Sequence, residues 1–534
     1  MHCPFAFPPA GLVLAALVLV APFVLHCQSS TMPDAPPDAA PSFDEPFRPQ
    51  FHYTPPRHWM NDPNGLVYHE GTYHLFHQYN PEGNTWGHMS WYHATSRDLV
   101  HWTHRGVAIP EEGNEMIFSG SAVVDPRNTA GFGSQSDDAP IVAIYTSNYF
   151  LPGDSINQAQ SLAYSPDGGA TWTKYEGNPV LDHPDAEFRD PSVFWYAPEQ
   201  KWVMAVALSE QRIIQFYESP DLKTWTHLSD FGPVGSTEGI WECPALFRVP
   251  AEGTDRTHWV LSVDVGSGAV AGGSGSQYFV GTFDGATFAP DAAHLDDAPH
   301  WADYGPDFYA AIPWNNVPAS DGRALWLGWM NNWTYAEDIP TAPWRSAQTV
   351  PRSLSLRDRN GRLQLVQHPV EELHALRTDP VRLGTRTIEE TVIPLADSGL
   401  SGRTLELRAT FVPEDAEAVG LHVHAGADEQ TRIGFDARTD SVFVDRTRSG
   451  AVDFQADFAA RNTAPLTPTD GRVTLHVLVD RSSVEVFANG GARVLTHRLF
   501  PDPASDGVAL FAQGGSATLL SLDAWTLRSA WGNQ

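Results

Sequence analysis

The sequence predicts an all-β protein, a five-bladed β-propeller followed by an antiparallel β-sandwich. Three observations carry that expectation. Short apolar runs punctuated by Gly, Pro, Asn and Asp extend from about Phe51 to the C-terminus with almost no helical periodicity. A weak internal repeat runs through the first large region, and after about residue 365 it gives way to short, strictly alternating segments. At 534 residues the chain also exceeds one ordinary core, which stops growing at about 250 to 300 residues, so two domains are expected.

Taken in order, residues 1–27 read as a signal peptide whose apolar core is Gly11 to Leu25, too short for a comfortable membrane span of about 20 residues. No Lys or Arg precedes that core. Cys27 is a candidate for lipidation, although Leu25 and His26 before it are bulkier than a lipoprotein site prefers. Residues 28–46, rich in Pro, Ala, Ser and Asp, read as a flexible tether, with folding expected to begin near Phe51.

The propeller is placed at 47–360. Ser96-Arg97-Asp98-Leu99-Val100-His101-Trp102 resembles Ser219-Pro220-Asp221-Leu222-Lys223-Thr224-Trp225, with a longer variant from Ser165 to Trp172 and a degenerate copy from Gly281 to Phe288. In each copy the Asp suits a turn and the following aromatic suits packing between sheets. Their spacings of 70, 53 and 63 residues suit large blades, about five in this length. A linker is placed at 361–380 and the sandwich at 381–534, where Thr404 to Phe411, Leu421 to His424, Arg432 to Phe435 and Val473 to Phe487 alternate as half-buried strands do.

The net charge is -31, with 33 Lys and Arg against 64 Asp and Glu, which excludes nucleic acid as a partner because phosphate needs basic patches. A solvated acidic surface accounts for the charge. The cysteines, Cys3, Cys27 and Cys243, imply no disulfide framework. Histidines cluster between His52 and His104, but no spacing resembles a zinc signature; no metal and no cofactor are expected.

Three acids stand in similar contexts far apart: Asp62 in Trp59-Met60-Asn61-Asp62-Pro63-Asn64-Gly65, Asp190 in Phe188-Arg189-Asp190-Pro191, and Glu242 in Trp241-Glu242-Cys243-Pro244. A hairpin follows each, so each is expected on the innermost strand of a separate blade, where blades converge. Two carboxyl groups flanking a glycosidic bond are the working parts of most glycosidases. Alone, Asp62 is equally a turn residue, and Asp190 is also open to a salt bridge with Arg189. Cys243 reads as a small buried residue able to tune Glu242.

With these motifs the chain resembles glycoside hydrolase family 32, the fructosidases that include invertases, levanases and inulinases. The resemblance implies a retaining mechanism with Asp62 as nucleophile, Glu242 as acid/base and Asp190 stabilising the transition state. It also implies substrate contacts at Asn61, Gln78, Trp86, Phe118, Ser119 and Arg189, with Asp307, Tyr309 and Trp329 as further candidates. The stretch from Trp329 to Tyr335, with Trp344 and Arg345, resembles the levanase and exo-inulinase branch. Exo-hydrolysis of levan or inulin is therefore expected, with sucrose as a second substrate, from a secreted enzyme whose only route to a membrane is a lipid on Cys27. Alternatives are a sucrose specialist, an endo-acting fructanase, an arabinan hydrolase of similar fold, or a non-catalytic sugar-binding propeller.

Overall fold

The computed structural model describes residues 41–133, 139–153, 155–295 and 298–532. The signal peptide, Cys27 and most of the tether lie outside the described residues. Among those described, helix is confined to three short 3-10 segments, Ala292–His294, Glu371–Leu376 and Ala396–Ser398.

Five four-stranded antiparallel blades make the first domain. Their innermost strands are His58–His69, Glu115–Val124, Phe188–Tyr196, Trp241–Pro250 and Tyr309–Pro313, and each contacts the next around a closed ring. Closure is completed by Trp344–Arg345, which pairs in parallel with His58 and Trp59. The four repeat copies fall at one place, the turn from third to outermost strand of blades one to four. There Asp98, Asp221 and Asp284 each accept two backbone N–H bonds, Asp167 accepts one, and Trp102 and Phe288 are buried. The repeat is thus a turn cap plus an inter-blade plug.

Two boundaries move. The last strand of blade five is Arg362–Pro369, so the propeller runs past residue 360 and the linker shrinks to the few residues around Glu371–Leu376. Folding also begins before Phe51: Phe43 packs on Trp531 at 4.5 Å between ring centroids, and Arg48 lies 3.7 Å over the Trp344 ring. The few apolar and cationic side chains of this segment find partners that its Pro-rich composition does not advertise.

The second domain is a sandwich of a seven-stranded and a six-stranded sheet. Its core alternates as expected, with Leu405, Leu407, Ala409 and Phe411 facing Val419, Leu421 and Val423. The run from Val473 to Phe487 is two strands, not one, because Arg481 and Ser482 make a tight turn between Val473–Asp480 and Ser483–Ala488.

Polar networks hold the domains together. Asp480 accepts the backbone N–H groups of Gln50 and Phe51, and the His52 ring bridges Asp480 and Glu485 at 2.8 and 2.9 Å. Glu485 in turn takes Arg352, which also pairs with Asp303 at 3.1 Å.

Candidate active site

All five innermost strands share one irregularity: the ladder to the second strand slips between Met60 and Pro63, Ile117 and Gly120, Arg189 and Ser192, Glu242 and Ala245, and Tyr309 and Ile312. Such bulges unpair a residue and turn its side chain out of the pleat. Proline supports the slip in three of them, since Pro63, Pro191 and Pro244 cannot donate to the ladder. Backbone with positive φ completes the turn at Asp190 (66°), Cys243 (45°) and Ala310 (54°). The consequence is convergence: Asp62, Asp190 and Glu242, from blades one, three and four, line one cavity of about 480 Å³.

Asp62 is buried, with Oδ2 accepting the Ser119 hydroxyl at 2.6 Å and Oδ1 the Asn61 amide at 3.1 Å. Burial pushes its pKa up to about 6; the Ser119 bond opposes the rise and the charge of Glu242 adds to it. Asp190 Oδ2 accepts the Cys243 backbone N–H at 3.0 Å, and burial together with the Glu242 charge raises Asp190 to about 7 despite Arg189 nearby. The salt-bridge alternative for Asp190 does not occur. Arg189 instead donates to Glu242 Oε1 at 3.0 Å, to Gln158 at 3.1 Å and to Glu187.

Glu242 also accepts the Tyr309 hydroxyl on Oε2, and its side chain keeps 19% exposure, more than Asp62 or Asp190 in the same cavity. The Cys243 thiol lies 3.7 Å from both Asp62 Oδ2 and Asp190 Oδ2. Burial and those carboxyl groups raise its pKa well above the usual thiol value, so it remains a thiol and addresses the two aspartates rather than Glu242.

Of the other expected contacts, Asn61, Gln78, Trp86, Phe118, Ser119 and Arg189 line the cavity. Gln78 Nε2 is buried without a partner, a donor left for a ligand. Tyr309 reaches the site only through Glu242. Trp329 stands behind it, fully buried against Trp59, Trp333 and Tyr309 at centroid distances of 6.2, 4.7 and 6.3 Å. Asp307 is elsewhere. It accepts Arg446 of the sandwich at 2.7 Å, the Tyr335 hydroxyl at 2.7 Å and the Arg498 backbone N–H at 2.8 Å, so it clamps the domains instead of meeting the cavity.

Sequence reasoning missed Met116, Asn148, Phe150, Ile156, Gln158, Glu187, Ile240 and Gly266 in the lining, and gave Trp333 no site role beyond its place in the stretch from Trp329 to Tyr335. It also missed Asp264, fully buried and directly opposite Glu242 in the ladder, bonded to the Ser276 hydroxyl. Burial first, and then the charges of Asp62 and Glu242, push its carboxyl well above the usual range. Trp333 apart, no motif marks these residues. For Asn148, Phe150, Ile156 and Gln158 it is strand register alone that brings them to the cavity.

Comparison with known proteins identifies the family. The profile for the glycosyl hydrolases family 32 N-terminal domain matches residues 52–369, and that for the family's C-terminal domain matches residues 372–526. The chain belongs to glycoside hydrolase family 32. This family 32 chain is 47% identical over 503 residues to a levanase of Bacillus subtilis, covering 93% of the chain and 73% of that protein. It is 42% identical over 520 residues to an extracellular exo-inulinase of Aspergillus ficuum, covering 92% and 96%. Among solved structures, the exo-inulinase of Aspergillus awamori superposes with a TM-score of 0.85 at 40% identity, covering 92% of this chain and all of that one. A β-fructofuranosidase of Schwanniomyces occidentalis complexed with fructosyl-erythritol gives 0.82 at 34% identity, covering 90% and 98%.

Proposed function

We propose that the chain releases terminal β-D-fructofuranosyl residues from levan or inulin, and fructose from sucrose, by a two-step retaining mechanism. The observation that carries this reading is the meeting of Asp62, Asp190 and Glu242, from three blades, in one cavity with a family 32 scaffold around it. In the first step Asp62 attacks the anomeric carbon while Glu242 gives a proton to the leaving oxygen. In the second Glu242 takes a proton from water, which displaces Asp62 and frees fructose. The environments support this division of labour. Asp62 is held from two sides by Ser119 and Asn61, as an aimed nucleophile must be, whereas Glu242 keeps solvent exposure on the side where leaving group and water exchange. In this reading Asp190 and Arg189 hold fructose hydroxyls.

The levanase and exo-inulinases to which the chain is similar support fructan as substrate, and the extracellular location of those exo-inulinases supports secretion through residues 1–27. Whether Cys27 then carries a lipid is decided by the mass of the mature N-terminal peptide. Activity is tested by incubation with levan, inulin, sucrose and arabinan. Free fructose from the first three, with no transient oligosaccharides, is the expected result. Early oligosaccharides would replace exo-action with endo-action, and arabinose release would overturn the substrate class.

A further inference from the structure

Among the described residues, only two aromatic side chains stand out as exposed large hydrophobics, Trp86 at 41% and Phe150 at 48%, and both line the same cavity. Exposed aromatic surface at a cavity mouth marks a ligand contact more often than a packing failure. The cavity is divided in composition. Its inner part carries Asp62, Asp190, Glu242, Asn61 and Ser119, and its rim carries Trp86, Phe150 and Ile156.

Phe150 lies on the two long strands of blade two, Ile141–Leu151 and Ser155–Ser165, directly opposite Ile156. Directly opposed residues on an antiparallel pair share a face, so the two side chains make one apolar platform. Its backbone is fixed. The Phe150 N–H donates to Asn114 O at 2.9 Å, and the Asn114 side-chain amide donates to Phe150 O at 3.0 Å. Trp86, on the same cavity, is also held, its backbone N–H donating to Glu337 at 3.0 Å and its ring edge-on to Phe118 at 6.0 Å. A fixed backbone beneath an exposed ring suits a preformed sugar platform, because stacking then costs little ordering.

We propose that Phe150, backed by Ile156, is the specificity-determining platform for the leaving side of the substrate, stacking on the sugar that follows the terminal fructosyl unit. The inference rests on the fructosidase reading of the Asp62 and Glu242 site. A furanose or pyranose ring offers C–H faces to an aromatic ring, and neither charge nor hydrogen bonding is required of Phe150. The platform therefore favours substrates with a sugar leaving group over those without one.

The test compares inulin and levan with methyl β-D-fructofuranoside, whose methanol leaving group is too small to reach the rim. In Phe150→Ala, KM for both polymers rises about fivefold to twentyfold with kcat within about twofold, as loss of one stacking contact implies. Methyl fructoside kinetics stay unchanged, and Phe150→Trp restores the polymer KM. Ile156→Ala shows a smaller change of the same kind. Equal loss on methyl fructoside and polymer would make Phe150 a structural residue and overturn the proposal, as would unchanged polymer KM in Phe150→Ala. A wild-type enzyme unable to release fructose from any of the three substrates would instead sink the fructosidase reading beneath it, and the proposal with it.

Discussion

At the scale of single residues, the two working carboxyl groups differ in what their loss should do. Asp62→Ala removes the atom that forms the covalent intermediate, so turnover should vanish on every substrate. Glu242→Ala should depend on the leaving group: fructan hydrolysis falls by about two to four orders of magnitude, while an aryl fructoside still reacts in its first step. The fructosyl-enzyme then accumulates, and azide restores turnover; rescue of Asp62→Ala instead would reverse the assignment. A second expectation follows from burial. Asp62 rises from 3.8 to about 6 in the folded protein, so the folded state binds its proton more tightly than the unfolded chain does. Its contribution to stability is full below pH 3.8 and is lost as pH rises through about 6. At 1.36 kcal/mol per unit, that is on the order of 3 kcal/mol. Asp62→Asn should therefore show a flatter fall in urea midpoint between pH 4 and 7.5 than the wild type. Equal slopes would mean that Asp62 is not shifted upward by its surroundings.

At the scale of elements, the bulge on each inner strand is the device that turns β-ladder residues into site residues. Blade two shows how little room it has. A Cβ on Gly120 would lie 2.1 Å from the Ile144 carbonyl oxygen, and the Gly120 N–H is bonded to Asn64 of blade one at 3.1 Å. Gly120→Ala must therefore push the strand away from its neighbour and carry Ser119 off Asp62. The expected outcome is about 1 to 3 kcal/mol less stability, the usual cost of overpacking. A kcat lower by at least about tenfold should accompany it, since displacements near 1 Å at a reacting group cost about a hundredfold. Circular dichroism melting and initial rates on sucrose check both, and a normal kcat in a destabilised variant would show that Ser119 does not position Asp62. The acids and the nearby Pro63, Pro191 and Pro244 marked the inner strands of blades one, three and four in the sequence, but the bulges themselves emerge only in the folded ladders. The slips of blades two and five contain no proline.

At the scale of the whole molecule, the propeller and sandwich are joined by buried charge. Burial opposes the charged form of His52, but its bonds to Asp480 and Glu485 outweigh that and raise its pKa above 6.5. Raised in this sense, His52 stabilises fully below pH 6.5 and its contribution is lost as pH rises through the folded value. Removing it leaves two buried carboxylates short of a partner, so His52→Gln should cost about 3 to 5 kcal/mol near pH 6. The gap between wild-type and variant melting temperatures should narrow toward pH 9. A gap constant with pH would show that the His52 charge does not hold the interface.

What the sequence by itself determined is the chemistry each position offers and the local geometry that offers it. The three acids, the Pro that breaks the ladder beside each, and the Asp-capped turns of the blades are encoded within a few residues, where turn preferences act. Only the tertiary structure decided which of those groups meet. Asp307 is a further candidate implied by the family resemblance, yet Arg446, 139 residues away, draws it into the domain interface. Phe43 docks on Trp531 from a segment that reads as a tether, and Phe150 and Gln158 line the cavity with no motif at all. The reason is physical: a turn is settled by neighbours in the chain, whereas the aim of a side chain across the propeller depends on register and twist accumulated over whole blades, which no short stretch of sequence contains.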